Sequence, residues 1–113
     1  MSNVQERRRF ARIPENLPIS YEVLPEIRTE EALTKDISQE GIRFFVNSFI
    51  PKFSLVKIKL KLQKVPFNFE ALVRVRWIKA EVPNNRYEIG AEFINIPKKA
   101  ARQLIDYIKN ILK

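Results

Sequence analysis

The chain has 113 residues, which is enough for one domain with a modest core, and 45% of them are hydrophobic. It contains no cysteine and no histidine, so disulfides, cysteine nucleophiles, most zinc sites and the commonest general base are excluded. The net charge of +8, from 21 basic and 13 acidic residues, predicts an anionic partner: nucleic acid, a phosphate ligand or an acidic protein surface.

The densest positive charge lies at the N-terminus. Residues 1–13 are polar and basic and show no sustained period, which predicts a flexible arm. Pro14 and Pro18 then hold the following backbone extended. The arginines of this arm are Arg7, Arg8, Arg9 and Arg12.

Alternation of apolar and polar residues predicts six short β-strands between residues 17 and 94. The clearest is 55–62, in which apolar residues face one way and three lysines the other. Three aromatic residues, Phe69, Trp77 and Phe93, are in phase with apolar faces and are therefore predicted to lie in the core. The six predicted strands cover residues 17–23, 32–37, 42–46, 55–62, 67–79 and 87–93.

The last segment, 97–113, has the period of an amphipathic helix that begins at Pro97. Six short strands followed by one helix predict an all-β fold with one helix: a six-stranded antiparallel barrel, closed or nearly closed, in a single domain spanning 1–113. No apolar run approaches the ~20 residues that span a bilayer, so we expect a cytoplasmic protein without membrane insertion. The apolar stripe of the predicted helix comprises Ala101, Leu104, Ile105, Ile108, Ile111 and Leu112.

No residue of the sequence can be given a catalytic role. Two glycines, Gly41 and Gly90, are too few for a glycine-rich phosphate loop. The adjacent carboxylates of Glu30 and Glu31 point to opposite faces of a strand, and no serine has a histidine to activate it. The sequence therefore predicts a protein that is not an enzyme and has neither a metal site nor a cofactor.

Two short elements together form a candidate nucleotide site. The guanidinium groups of Arg8 and Arg12 can bind phosphate, pair with O6 and N7 of guanine, or stack on a purine. In the second element, Asp36 can accept hydrogen bonds from the N1–H and N2–H edge of guanine, Ser38 can reach a phosphate or ribose oxygen, and Gly41 lets the backbone turn. Each element alone is also explained as a solvated basic tail or an ordinary turn, but together they can read a guanine nucleotide.

The order RxxxR at Arg8–Arg12, then DxSxxG at Asp36–Gly41, on short strands that end in a helix, resembles the PilZ domain family. Residues 74–78 (RVRWI) and 87–93 (YEIGAEF) resemble the family's late strands. The resemblance implies a six-stranded barrel with a C-terminal helix, and a receptor for the bacterial second messenger cyclic di-GMP. The ligand residues that it implies are Arg8 and Arg12 from the arm and Asp36, Ser38 and Gly41 from the barrel, with Arg9 and Gly90 as further candidates.

Arg7 adds a cation directly before the RxxxR motif, and we expect it to favour two stacked ligand molecules over one, because the extra phosphates need neutralising. Without ligand the arginines repel one another, so the arm is expected to be mobile and to become ordered on the barrel when ligand binds. This ordering would signal to a downstream protein partner, which the sequence does not identify.

Two other functions stay open. Small barrels with basic grooves and aromatic residues bind RNA or single-stranded DNA without sequence preference. Because Phe69, Trp77 and Phe93 are predicted to be core, nucleic acid is the less favoured partner. The other alternative is a PilZ-like adaptor that binds protein alone, and the intact motifs argue against it.

Overall fold

The predicted six-stranded antiparallel barrel with a C-terminal helix is confirmed by the computed structural model, which describes residues 11–62 and 67–112. The predicted ligand residues Arg7, Arg8 and Arg9 lie outside this part of the chain. Each predicted strand has an observed counterpart, and one short strand precedes them. The elements are β1 (Ile13–Pro14), β2 (Pro18–Val23), β3 (Glu30–Ile37), β4 (Gly41–Val46), β5 (Leu55–Leu62), β6 (Phe67–Glu81), β7 (Arg86–Asn95) and α1 (Lys98–Leu112).

The sheet closes on itself because β3 pairs with both β2 and β4. Neighbouring strands follow the order β3-β2-β5-β6-β7-β4, all antiparallel, and β4 returns to β3. The short strand β1 also pairs with β3 and continues the line of β2. Closure pairs each of the six main strands on both sides, as in other small barrels.

The end of the predicted arm belongs to the barrel. Ile13 pairs with Ile37 of β3 and is only 1% exposed. The buried hydroxyl of Thr34 accepts a hydrogen bond from Leu17 N at 2.7 Å and donates to the carbonyl oxygen of Glu15. Full burial of an isoleucine side chain contributes about 1.5–3 kcal/mol, so Ile13 is not part of a mobile segment and the arm ends before it.

The hydrophobic core fills the inside of the barrel and follows the period of two that the sequence shows. Val56, Ile58 and Leu60 of β5 are each at most 1% exposed, while the lysines between them face solvent. The same alternation holds in β6 from Phe69 to Val75. Strand geometry therefore separates the apolar face from the charged face along most of the barrel.

The prediction that Trp77 is a core residue is wrong. The register between β6 and β7 shifts between Val75 and Trp77, which marks a β-bulge at Arg76. Val75 stays inside opposite Ala91, whereas Trp77 lies opposite Gly90 and is 38% exposed. Of the other two aromatic residues predicted as core, Phe69 is buried and Phe93 is half-buried.

The buried face of α1 is rotated from the predicted stripe. Leu104 and Ile108 are buried as predicted, but Ile111 and Leu112 are exposed. The residues that α1 buries are Ala100, Leu104, Tyr107 and Ile108.

Within residues 11–62 and 67–112, no helix combines the length and the apolar character needed to cross a membrane.

Tyr107 connects α1 to the segment between β1 and β2, since its hydroxyl donates a hydrogen bond to Glu15 Oε1 at 2.8 Å. Burial and this hydrogen bond raise the pKa of Tyr107 from 10.0 to about 12. A raised folded-state pKa means that the stabilisation is fully present below pH 10 and is lost as the pH rises towards 12.

We therefore expect the chain to lose more stability between pH 10 and pH 12 than its Tyr107→Phe variant, which has no phenol to ionise at this position. Denaturant unfolding midpoints of both proteins, measured across this range, give the comparison. Equal losses in the two proteins would contradict the expectation.

Candidate functional site

A β-bulge in β3 directs Asp36 to the outer surface of the barrel. Thr34 pairs with Phe44 and faces the core, but the next pair is Asp36 with Arg43, so Lys35 is the extra residue. In an unbroken strand Thr34 and Asp36, two residues apart, would share the inward face. The bulge instead sets the carboxylate of Asp36 opposite Arg43, on the face away from the core.

Asp36 is held by two arginines from different elements. Arg12 Nη1 donates to Asp36 Oδ1 at 2.8 Å, and Arg43 Nε contacts Oδ1 at 2.9 Å and Oδ2 at 2.8 Å. Arg43 Nη2 also donates to Oδ2. Asp36 is 5% exposed; burial raises the pKa of its carboxyl, but the hydrogen bonds from Arg43 and Arg12 lower it below its ordinary value of 3.8. The group is therefore a carboxylate at neutral pH.

Ser38 closes the turn between β3 and β4 with its own side chain. Its Oγ accepts hydrogen bonds from the backbone N–H of Glu40 at 3.1 Å and of Gly41 at 3.3 Å. The Ser38 N–H donates to the carbonyl oxygen of Gly41 at 2.9 Å. With Ser38 only 2% exposed, its hydroxyl shapes the turn, and the predicted contact of this hydroxyl with ligand stays a prediction.

Gly41 is required by a close approach of two strands. A Cβ at this position would lie 2.0 Å from the carbonyl oxygen of Ala91 in β7. Gly90 has a related role, since a Cβ there would lie 2.1–2.5 Å from the indole of Trp77. The two glycines thus let β4 approach β7 and let the Trp77 ring cover the outer surface of β7.

A cavity of about 270 Å³ lies beside these groups. It brings together three predicted ligand residues, Arg12, Gly41 and Gly90, with Asp36 bound to Arg12 behind them. Its wall also contains residues that sequence reasoning did not assign to the site: Arg43, Arg76, Trp77 and Glu92.

A larger groove of about 1020 Å³ lies elsewhere on the barrel and contains none of the predicted ligand residues that the structure describes. Its lining carries both signs of charge, and Lys59 pairs there with Glu70 at 3.6 Å. The smaller cavity gathers Arg12, Arg43 and Arg76. Each of these arginines is paired with a carboxylate, the first two with Asp36 and the third with Glu92. The smaller cavity therefore combines arginines with predicted ligand residues.

A model of the PilZ domain matches residues 6–110. The chain is similar in structure to the inhibitor of motility (MotI/DgrA) of Bacillus subtilis, with 18% identity and a TM-score of 0.80, covering 94% of this chain and 52% of that protein. Comparison with curated protein sequences finds no match.

Two solved structures of YcgR from Escherichia coli, both in complex with c-di-GMP, are also similar, each at 18% identity. The longer YcgR structure gives a TM-score of 0.76, with coverage of 93% of this chain and 46% of YcgR. The PilZ domain of YcgR alone gives a TM-score of 0.68, with coverage of 90% of this chain and 88% of that domain. The chain therefore spans about half the length of the longer proteins that it resembles.

Proposed function

Since the chain belongs to the PilZ domain family, we propose that it is a receptor for cyclic di-GMP without catalytic activity. The observation that carries this proposal is the contact between Arg12 of the RxxxR motif and Asp36 of the DxSxxG motif at 2.8 Å. Two motifs that are 24 residues apart in sequence meet at one cavity, where a cation and a carboxylate stand side by side.

These two groups complement a guanine nucleotide. The carboxylate of Asp36 can accept the N1–H and N2–H donors of guanine, and Arg12 can bind a phosphate or the O6 and N7 acceptors. Arg12 donates to Asp36 itself, so on this proposal the nucleotide exchanges this ion pair for its own contacts with the two groups. The ion pair sets the last arginine of the arm beside the cavity.

Trp77 supplies an aromatic surface at the same cavity. Its indole is 38% exposed and is fixed against Gly90, where the glycine leaves room for the ring. Stacking of a base on an aromatic side chain contributes about 1–3 kcal/mol. We assign Trp77 the role of stacking on guanine while the arginines neutralise the phosphates.

The same contacts support the predicted switch. Binding of the nucleotide by Arg8 and Arg12 would draw residues 1–10 onto the barrel and change the surface offered to a partner protein. Glu15 follows Arg12 closely and is bonded to Tyr107 of α1. A change in the position of Arg12 can therefore reach the helix through the backbone to Glu15 and through the hydrogen bond between Glu15 and Tyr107.

The base-reading role of Asp36 predicts discrimination between cyclic dinucleotides. We expect saturable heat on calorimetric titration with cyclic di-GMP, and binding about 100-fold weaker or more for cyclic di-AMP, because adenine lacks the N1–H and N2–H donors and the O6 acceptor. Equal affinity for both nucleotides would contradict base reading by Asp36. Saturation at two ligands per chain would support the proposed role of Arg7, and saturation at one would count against it.

The positions of the aromatic residues make nucleic acid binding the less favoured function. In the described part of the chain, Phe49 (60% exposed) and Phe53 (56% exposed) lie on the segment between β4 and β5, not on a strand. The ring of Phe49 packs edge-on against Tyr87 at 5.8 Å. The ring of Phe45 is covered by the guanidinium of Arg86 at 3.8 Å. These positions do not form the row of stacking surfaces along a strand face that single-stranded nucleic acid uses.

A further inference from the structure

We propose that Arg43 is a positioning residue of the nucleotide site: it holds the Asp36 carboxylate in one orientation while Arg12 leaves Asp36 for the ligand. The proposal rests on the proposed function and adds a residue that lies outside both sequence motifs. Arg43 acts through Asp36, and its own contact with the nucleotide is not required.

The two arginines hold Asp36 in different ways. Arg43 stands directly opposite Asp36 in the β3–β4 ladder and contacts both carboxylate oxygens through Nε and Nη2. Arg12 makes a single contact, from Nη1 to Oδ1. A two-point contact within a strand pair fixes orientation as well as charge, whereas a single contact at the start of the barrel can be exchanged. Arg43 is thus the permanent counter-ion and Arg12 the exchangeable one.

Arg43 is itself anchored on its other side. Its Nη1 lies 3.9 Å from Oε2 of Glu88 in β7, and Glu88 is only 7% exposed. Lys35, the extra residue of the β3 bulge, contacts both oxygens of Glu88 at 3.3 Å. In the part of the chain that the structure describes, the charged groups around Asp36 are therefore Arg12 before β1, Lys35 on β3, Arg43 on β4 and Glu88 on β7.

Arg43 keeps a cation beside Asp36 when ligand binding removes Arg12. When Arg12 moves to a phosphate, a carboxylate that is 5% exposed loses one of its two cations. Without Arg43 that carboxylate would have no cation until guanine arrived, and burial without a cation raises the pKa of a carboxyl, so that the group takes up a proton at a higher pH. A protonated Asp36 loses acceptor capacity for the N1–H and N2–H edge of guanine. Arg43 prevents this, so the affinity for cyclic di-GMP should depend on it.

The test compares two variants. Arg43→Gln removes the charge but keeps a long polar side chain, and Arg43→Lys keeps the charge but loses the two-point contact of the guanidinium. Cyclic di-GMP affinity is measured calorimetrically from pH 4.5 to pH 8. We expect near-constant affinity for the parent chain. Arg43→Gln should bind about 10- to 100-fold more weakly at pH 7 and weaken further as the pH falls. Arg43→Lys should recover part of the loss.

An Arg43→Gln variant with the affinity and flat pH profile of the parent chain would overturn the proposal. If that variant does not fold, Arg43→Lys decides, because a lysine that restores full affinity would show that the two-point contact is unnecessary. Titration of the Asp36 carboxyl by ¹³C NMR without ligand gives an independent reading. We expect it to titrate at higher pH in the variant, and unchanged titration would overturn the proposal. If the parent chain does not bind cyclic di-GMP, the proposed function is refuted instead.

Discussion

Replacing Arg12 with alanine is expected to weaken cyclic di-GMP binding by about 100-fold or more. The guanidinium provides charge-assisted hydrogen bonds to phosphate or guanine, and such bonds contribute about 1.5–3 kcal/mol each. Calorimetric titration of Arg12→Ala gives the comparison. Arg28→Ala is the matched control, because it removes the same charge from a side chain that is 79% exposed and pairs with Glu30 away from the cavity.

The same substitution should leave the fold almost unchanged. Arg12 makes one charge-assisted hydrogen bond to Asp36, and Asp36 keeps its two-point contact with Arg43, so the free energy of unfolding should fall by about 1.5–3 kcal/mol without loss of the fold. Loss of binding in a stably folded Arg12→Ala protein would identify a ligand contact. Full affinity in Arg12→Ala, or an equal loss in Arg28→Ala, would contradict the assignment of Arg12 to the site.

Gly41→Ala should have the largest effect on stability. The new methyl group would meet the carbonyl oxygen of Ala91 at 2.0 Å, and a backbone atom cannot rotate away as a side chain can. Strands β4 and β7 would have to separate where they pair, at Gly41 and Glu92. We expect a loss of about 3 kcal/mol or more in the free energy of unfolding, measured by denaturant titration.

Gly90→Ala is the informative comparison for Gly41→Ala. There the new methyl group meets the indole of Trp77, and the ring can swing outward into solvent. We expect a smaller loss of stability and a red shift of the fluorescence of the single tryptophan. Equal stability losses at the two glycines would show that the β4–β7 approach is not the constraint that Gly41 serves.

The barrel was predictable because burial on one face imposes a period of two on every strand. In β5 this period separates Val56, Ile58 and Leu60 from the lysines between them, and no other register buries the apolar set. The C-terminal helix was predictable for the same reason at a period of 3.6. The face it buries was displaced by about one residue, because Tyr107 reaches Glu15 and is drawn into the interface.

Two β-bulges shape the site, and neither was predictable. The bulge at Lys35 sets Asp36 opposite Arg43, and the bulge at Arg76 sets Trp77 opposite Gly90. Extrapolating a strict alternation through them placed Trp77 in the core. A bulge depends on how two strands pair across the sheet, and that pairing is set by tertiary contacts that one strand's sequence does not contain.

Arg43 was missed because its partner is 7 residues away on the neighbouring strand. An arginine at an outward position of a strand is ordinary, so its type and spacing carry no signal. The signal lies in the combination of Asp36, a tight turn and a cation at the paired position of β4. For Ser38 and Gly41 the sequence predicted a turn correctly. Glycine is required at position 41, however, because β7 approaches closely there, and β7 is distant in the chain.

The most direct test of the account is an NMR titration of the isotope-labelled chain with cyclic di-GMP. We expect saturable shifts at the backbone amides of Asp36, Ser38, Gly41 and Arg43 and at the indole N–H of Trp77, with no shifts at Lys59 and Glu70 in the larger groove. Shifts confined to the larger groove, or no shifts at saturating nucleotide, would contradict the assignment of a cyclic di-GMP site to this cavity.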